Sequence, residues 1–271
     1  MNATTITAAA ALFALAAGAA HAQTLVFDRG LPDANLNNAA NANRSNVAWG
    51  YGQSGSPFTT GDDFTLGATG DATNTVWRVD TIRMWIIAGA AGDSGFDLSQ
   101  RYNDAQLYVK NGAAATTLAQ SGNFIAGSNN TDNADISISA VQYAGGQDYQ
   151  TTTGPLAQVW QIDFTNLNLI VNPGDAVEFY AFGEAIDPAS GVWFNLASNA
   201  ALSGTTQDGA DDLYRFLQVD NFANTGAVDS NGNGWDKSSD LNVQVFATAV
   251  PAPGAAAVLG LAGLLAGRRR R

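Results

Sequence analysis

Between residues 23 and 248 the chain lacks any stretch with the 3.6-residue apolar period of an amphipathic helix. It carries short runs rich in β-branched and aromatic residues, separated by clusters of Gly, Asn, Asp, Ser and Thr. Candidate strands are 24–28, 63–66, 76–87, 106–110, 136–141, 158–164, 167–171, 176–182, 192–196, 213–219 and 241–247. Several alternate strictly. Trp160, Ile162 and Phe164 share one face, as do Leu241, Val243 and Val245, with Asn242 and Gln244 opposite. Asn172-Pro173-Gly174-Asp175 has Pro and Gly where a tight turn needs them, and predicts a hairpin between 167–171 and 176–182. The acids agree with this reading. Only Glu178 and Glu184 are glutamates; the rest are Asp, a turn and capping residue. The expected fold is all-β, a two-sheet antiparallel sandwich of jelly-roll type spanning 23–249.

Composition removes several kinds of function. With 12 Lys+Arg against 24 Asp+Glu, the chain cannot neutralise a row of phosphates, which argues against nucleic-acid binding. It has no cysteine, so disulfides, thiolate metal sites and Cys nucleophiles drop out. Its single histidine, His21, falls in a segment read as a leader, so a Ser-His-Asp hydrolase or a His-ligated zinc is not expected. No nucleophile-elbow, P-loop or dinucleotide motif is present.

Both ends read as targeting segments. Residues 1–22 hold an Ala-rich apolar run closed by Ala20-His21-Ala22 before Gln23, the small-x-small pattern of a signal-peptidase site. No Lys or Arg precedes that run. Residues 250–271 hold Pro251-Ala252-Pro253, an apolar stretch 254–267 and the cluster Arg268, Arg269, Arg270 and Arg271. Counted from Val250, the apolar length suits a short membrane helix with its arginines on the cytoplasmic side.

This tripartite tail resembles the PEP-CTERM sorting signal of Gram-negative bacteria, with Ala252 in place of the central Glu of the Pro-Glu-Pro box. The resemblance implies a signal peptidase and an exosortase-like membrane protease as partners. It also implies delivery to the cell surface or the extracellular polymer, with the tail as a transient anchor. A Gly-Gly type tail read by a rhomboid-like protease and a plain membrane anchor are the alternatives. The domain itself is loosely similar to sandwiches that precede such tails, through Asp62-Asp63-Phe64, the run 79–82 and the run 240–246.

Three candidate sites remain inside the domain. Asp229, Asn231, Asn233, Trp235 and Asp240 fall at calcium-loop positions 1, 3, 5, 7 and 12, with Gly234 at the sharp turn. Lys237 at position 9 and a strand after the loop depart from that pattern, and an Asx-stabilised turn competes with it. Of six tryptophans, Trp160 and Trp193 read as core. Trp85, beside Arg83, and Trp235, in a Gly/Asn loop, are candidates for stacking on an exopolysaccharide. Glu178 and Glu184 are the material for a two-carboxylate glycan hydrolase, the remaining enzymatic route. The expected function is a non-enzymatic exported surface or matrix protein, with carbohydrate binding and then glycan hydrolysis as its rivals.

Overall fold

The structure, a computed structural model, describes residues 23–32, 46–47, 58–88, 98, 101–111, 117–125, 128–129, 137–142, 149–150, 156–186, 193–199, 208–209, 211, 213–218, 223–229 and 239–254. Its elements are strands. They are β1 (Thr24–Asp28), β2 (Asn46–Val47), β3 (Phe58–Thr65), β4 (Val76–Ala88), β5 (Tyr102–Asn111), β6 (Thr117–Ile125), β7 (Ser128–Asn129), β8 (Ser137–Gln142) and β9 (Tyr149–Gln150). Then come β10 (Leu156–Ala157), β11 (Val159–Val171), β12 (Ala176–Ala185), β13 (Trp193–Asn199), β14 (Leu213–Gln218), β15 (Ala223–Asp229), β16 (Ser239–Leu241) and β17 (Val243–Val250).

These form two large antiparallel sheets and a small β9–β10 ribbon. One sheet runs β1-β17-β4-β11-β8, with β13 also pairing β4, β16 and β2. The other runs β15-β14-β3-β12-β5-β6-β7. They share one core. Ile82, Met84, Ile162, Phe164, Val243 and Val245 of the first sheet meet Phe64, Leu107, Val109, Val177 and Phe179 of the second. Phe27 and Phe64 join the sheets with ring centroids 5.7 Å apart. The alternations read from sequence supply this core: Trp160, Ile162 and Phe164 are buried, and so are Leu241, Val243 and Val245. Trp193 is core as well, its indole N–H donating to Asn195 Oδ1 at 3.0 Å. Asn195 in turn donates to Thr60 O at 3.0 Å, tying β13 of the first sheet to β3 of the second.

Three of the elements read from the sequence are built differently. The runs 158–164 and 167–171 are one strand, β11. Its register against β4 shifts between Thr165 and Leu169, where Asn166 and Asn168 take positive φ of 60° and 52°. Asparagine tolerates that left-handed conformation, so the bulge bends the strand without ending it.

The turn at 172–175 is present, with Asp175 N–H donating to Asn172 O and Gly174 at φ 88°. It does not make a hairpin. β11 pairs with β4 and β8, whereas β12 pairs with β3 and β5 in the other sheet. Val171 and Val177 are both fully buried, so the chain crosses over the core instead of folding back beside itself.

The last run is broken at Asn242, whose N–H donates to Leu196 O and whose side chain donates to Gly30 O. β16 accordingly pairs with β13, and β17 with β1 and β4. Residues 1–22 and the residues beyond Gly254, read from sequence as leader and tail, lie outside the described residues.

Candidate functional site

Asp62 and Asp63 are neighbours in β3, so their side chains point to opposite faces of the sheet. Two charge networks are built on them, one inside the fold and one outside.

The inner network centres on Arg29, just beyond β1. Arg29 Nη1 lies 2.8 Å from Asp62 Oδ2 and 4.0 Å from Asp240 Oδ1. The other guanidinium nitrogens donate to backbone carbonyls: Nε to Asp208 O at 3.0 Å, and Nη2 to Asp63 O at 2.8 Å and Gly209 O at 3.0 Å. The guanidinium carbon also stands 5.1 Å from the centre of the Phe27 ring. Asp62 accepts from Leu241 N–H at 2.7 Å and from Asp63 N–H at 2.7 Å. Asp240 accepts from Asp211 N–H at 3.1 Å.

The three side chains are buried, at 1% exposure or less. Burial pushes the Asp62 carboxyl up to about 6, against the opposing pull of Arg29 and the two backbone N–H groups. Burial alone would lower Arg29; Asp62 and Asp240 outweigh it and hold the guanidinium above its usual value. The network therefore fastens β1, β3, β16 and the 208–211 segment at one place.

The outer network runs across β14, β3, β12 and β5. Glu178 sits opposite Asp63 on one side and Lys110 on the other. Arg215 Nη2 is 2.6 Å from Asp63 Oδ2, and its Nη1 is 3.8 Å from Glu178 Oε1. Lys110 Nζ reaches the same Glu178 oxygen at 3.3 Å, and the Tyr180 hydroxyl donates to Glu178 Oε2 at 2.8 Å. Burial, then that hydrogen bond to Glu178, raises the Tyr180 hydroxyl above its ordinary value. The Tyr180 ring lies over Gly61, where a Cβ would collide with it and with Phe179 O. Each carboxylate of this ladder is held by a cation, and the four charged side chains remain partly exposed.

Comparison with known proteins returns nothing. No family model, no curated protein and no solved structure matches the chain.

The sequence-derived candidates are distributed unevenly over this geometry. Glu178 belongs to the outer ladder; the Glu184 side chain is outside the described residues. Trp85 is a correction. Its neighbour Arg83 suggested an exposed ring, yet Trp85 is 1% exposed and packs with Ile87, Val159 and Leu196 in a second apolar cluster. Arg83 turns away from it to Asp163, at 2.8 Å, and over the Phe246 ring. Trp235, Asn231 and Asn233 lie outside the described residues.

Asp229 ends β15, with its side chain undescribed, and Asp240 has turned inward to Arg29. Gln23, Pro251 and Pro253 are described and exposed. Ala20, Ala22 and the four terminal arginines are not described.

Sequence reasoning missed Arg29, Asp62, Asp63, Lys110, Tyr180 and Arg215. One signal was available: Asp62 shares the parity of Phe64, so a charged residue stood at a core position of a strand.

Proposed function

We propose that the chain is a non-enzymatic, exported cell-surface or extracellular-matrix protein, a jelly-roll-like sandwich carried on a PEP-CTERM-like sorting tail. The observation that carries this reading is the position of Pro251 and Pro253. Both are exposed and follow directly on β17, so the box is presented outside the core to any protease that reads it. The jelly-roll reading is supported by the way the chain alternates between sheets: β3 to β4, β4 to β5, β11 to β12, β12 to β13 and β13 to β14 each change sheet. The outer ladder favours a structural over a hydrolytic role. Two-carboxylate hydrolysis places an acid and a second carboxylate on either side of the scissile bond, whereas here Asp63 is paired with Arg215 and Glu178 with Lys110 and Arg215.

Fractionation with mass spectrometry of both termini tests the reading. The surface-exposed form should begin at Gln23 and lack Arg268, Arg269, Arg270 and Arg271. Recovery of an intact C-terminus from the cell surface would refute processing of the tail. Exopolysaccharide binding is the second reading. It now rests on Trp235 and on the partly exposed ladder, and a glycan array separates it from the first.

A further inference from the structure

The chain enters and leaves the fold at one corner. β1 and β17 are antiparallel, with Thr24 opposite Ala247, and β17 continues to Val250, opposite Val76 on β4. Gln23 and Thr24 at one end, and Pro251 and Pro253 at the other, are exposed there.

The register constrains the tail. Val250 belongs to β17, so a membrane helix cannot use it without unpairing the strand. Pro251 and Ala252 lie outside any helix, so a membrane helix would have at most residues 253–267, about 22 Å at 1.5 Å per residue. That is less than the roughly 30 Å of a bilayer's hydrocarbon core. Only Pro251 and Ala252 would be left as a spacer, a reach of about 7 Å, no more than the headgroup layer.

The same end of the sheet carries exposed apolar side chains. Leu25 is 44% exposed and pairs opposite Phe246. Ile170 is 36% exposed and lies opposite Arg78, itself opposite Thr248 of β17. The other large hydrophobic exposed among the described residues, Ile186, follows β12 at the opposite end of that ten-residue strand. It is roughly 30 Å away at about 3.3 Å per residue.

We propose that, while the tail is uncut, the domain stands on a lipid surface at this corner, with Leu25 and Ile170 against the headgroups and Ile186 pointing away. The proposal rests on the export reading above. It assigns the contact to the short connection and not to charge, since Asp71 and Asp175 lie on the loop and the turn at this end.

The absence of cysteine makes single-site labelling direct. The full chain with its tail, carrying a fluorophore on Ile170→Cys or Ile186→Cys, is reconstituted into phosphatidylcholine vesicles doped with a nitroxide-headgroup lipid. Quenching should be several-fold stronger at position 170 than at 186. Equal quenching in vesicle-bound protein would overturn the orientation while leaving the tail as an anchor. Failure of the chain to float with the vesicles would overturn both. A twenty-residue Gly/Ser insert after Val250, with a reach of about 25 Å, should abolish the difference. If the difference survives the insert, the short connection is not its cause and the proposal fails.

Discussion

Arg29 and Asp62 meet at 2.8 Å across the inside of the fold, and neither side chain exceeds 1% exposure. One comes from the end of the first strand and the other from β3 in the opposite sheet, so the pair fastens the two sheets through a single guanidinium. Removing one partner of a buried pair leaves the other charge uncompensated, which costs about 3–5 kcal/mol. Arg29→Ala should therefore unfold at clearly lower denaturant. In a double-mutant cycle with Asp62→Leu, the two single losses should not add. Additive losses would show that the pair is not coupled.

The Asp62 carboxyl titrates at about 6 when folded, against 3.8 unfolded. The folded state thus binds this proton more tightly than the unfolded state does. Its contribution to stability is most favourable at acid pH and declines as pH rises from about 3.8 through 6. Asp62→Asn removes the titration. The variant should gain on wild type across that window, by on the order of 2–3 kcal/mol. Parallel stability profiles for the two proteins between pH 4 and 6.5 would contradict the assignment.

Asp240 has work to do without a cation. It accepts from Asp211 N–H and faces Arg29, so Asp240→Asn should lower the melting temperature equally in millimolar calcium and in chelator. A loss confined to calcium would return Asp240 to the loop Asp229–Asp240 as a ligand. Asp229→Ala is the companion measurement, because Asp229 opens the same loop at its first position.

Gly61→Ala places a methyl group against Phe179 O and the Tyr180 ring. The obstacle is backbone on one side, so relaxation is restricted, and a loss of roughly 1–3 kcal/mol is expected. Gly67→Ala, whose Cβ meets nothing within 4 Å, is the control and should be close to neutral.

Replacing Arg268, Arg269, Arg270 and Arg271 together with Ala should stall surface delivery and leave the melting temperature of the domain unchanged. The four residues lie beyond the last strand that contributes to the core. A lowered melting temperature would mean that the tail packs on the domain.

The strands were legible where one face is apolar and the other polar. β11 and β17 place their alternating apolar residues on the core face as the period predicts, because burial of one face enforces that period, whereas in β4 Trp85 and Ile87 of the other face are buried as well. β6 and β15 were missed. Their Gly, Asn, Ser and Ala content carries little strand propensity, and pairing with β5 and β14 supplies what local sequence does not. The turn at 172–175 was legible for the opposite reason, since Pro173 and Gly174 impose it locally. Which strands it connects was not.

By itself, then, the sequence determined the all-β class, the core faces of β11 and β17, the turn at 172–175 and the chemistry excluded by lacking cysteine. Each of these depends on residue type and near neighbours. The tertiary structure alone decided that β11 and β12 lie in different sheets, that Trp85 is covered, and that Asp62 and Asp240 converge on Arg29. Those outcomes join residues far apart in the chain, through contacts that exist only once both sheets have closed on one core.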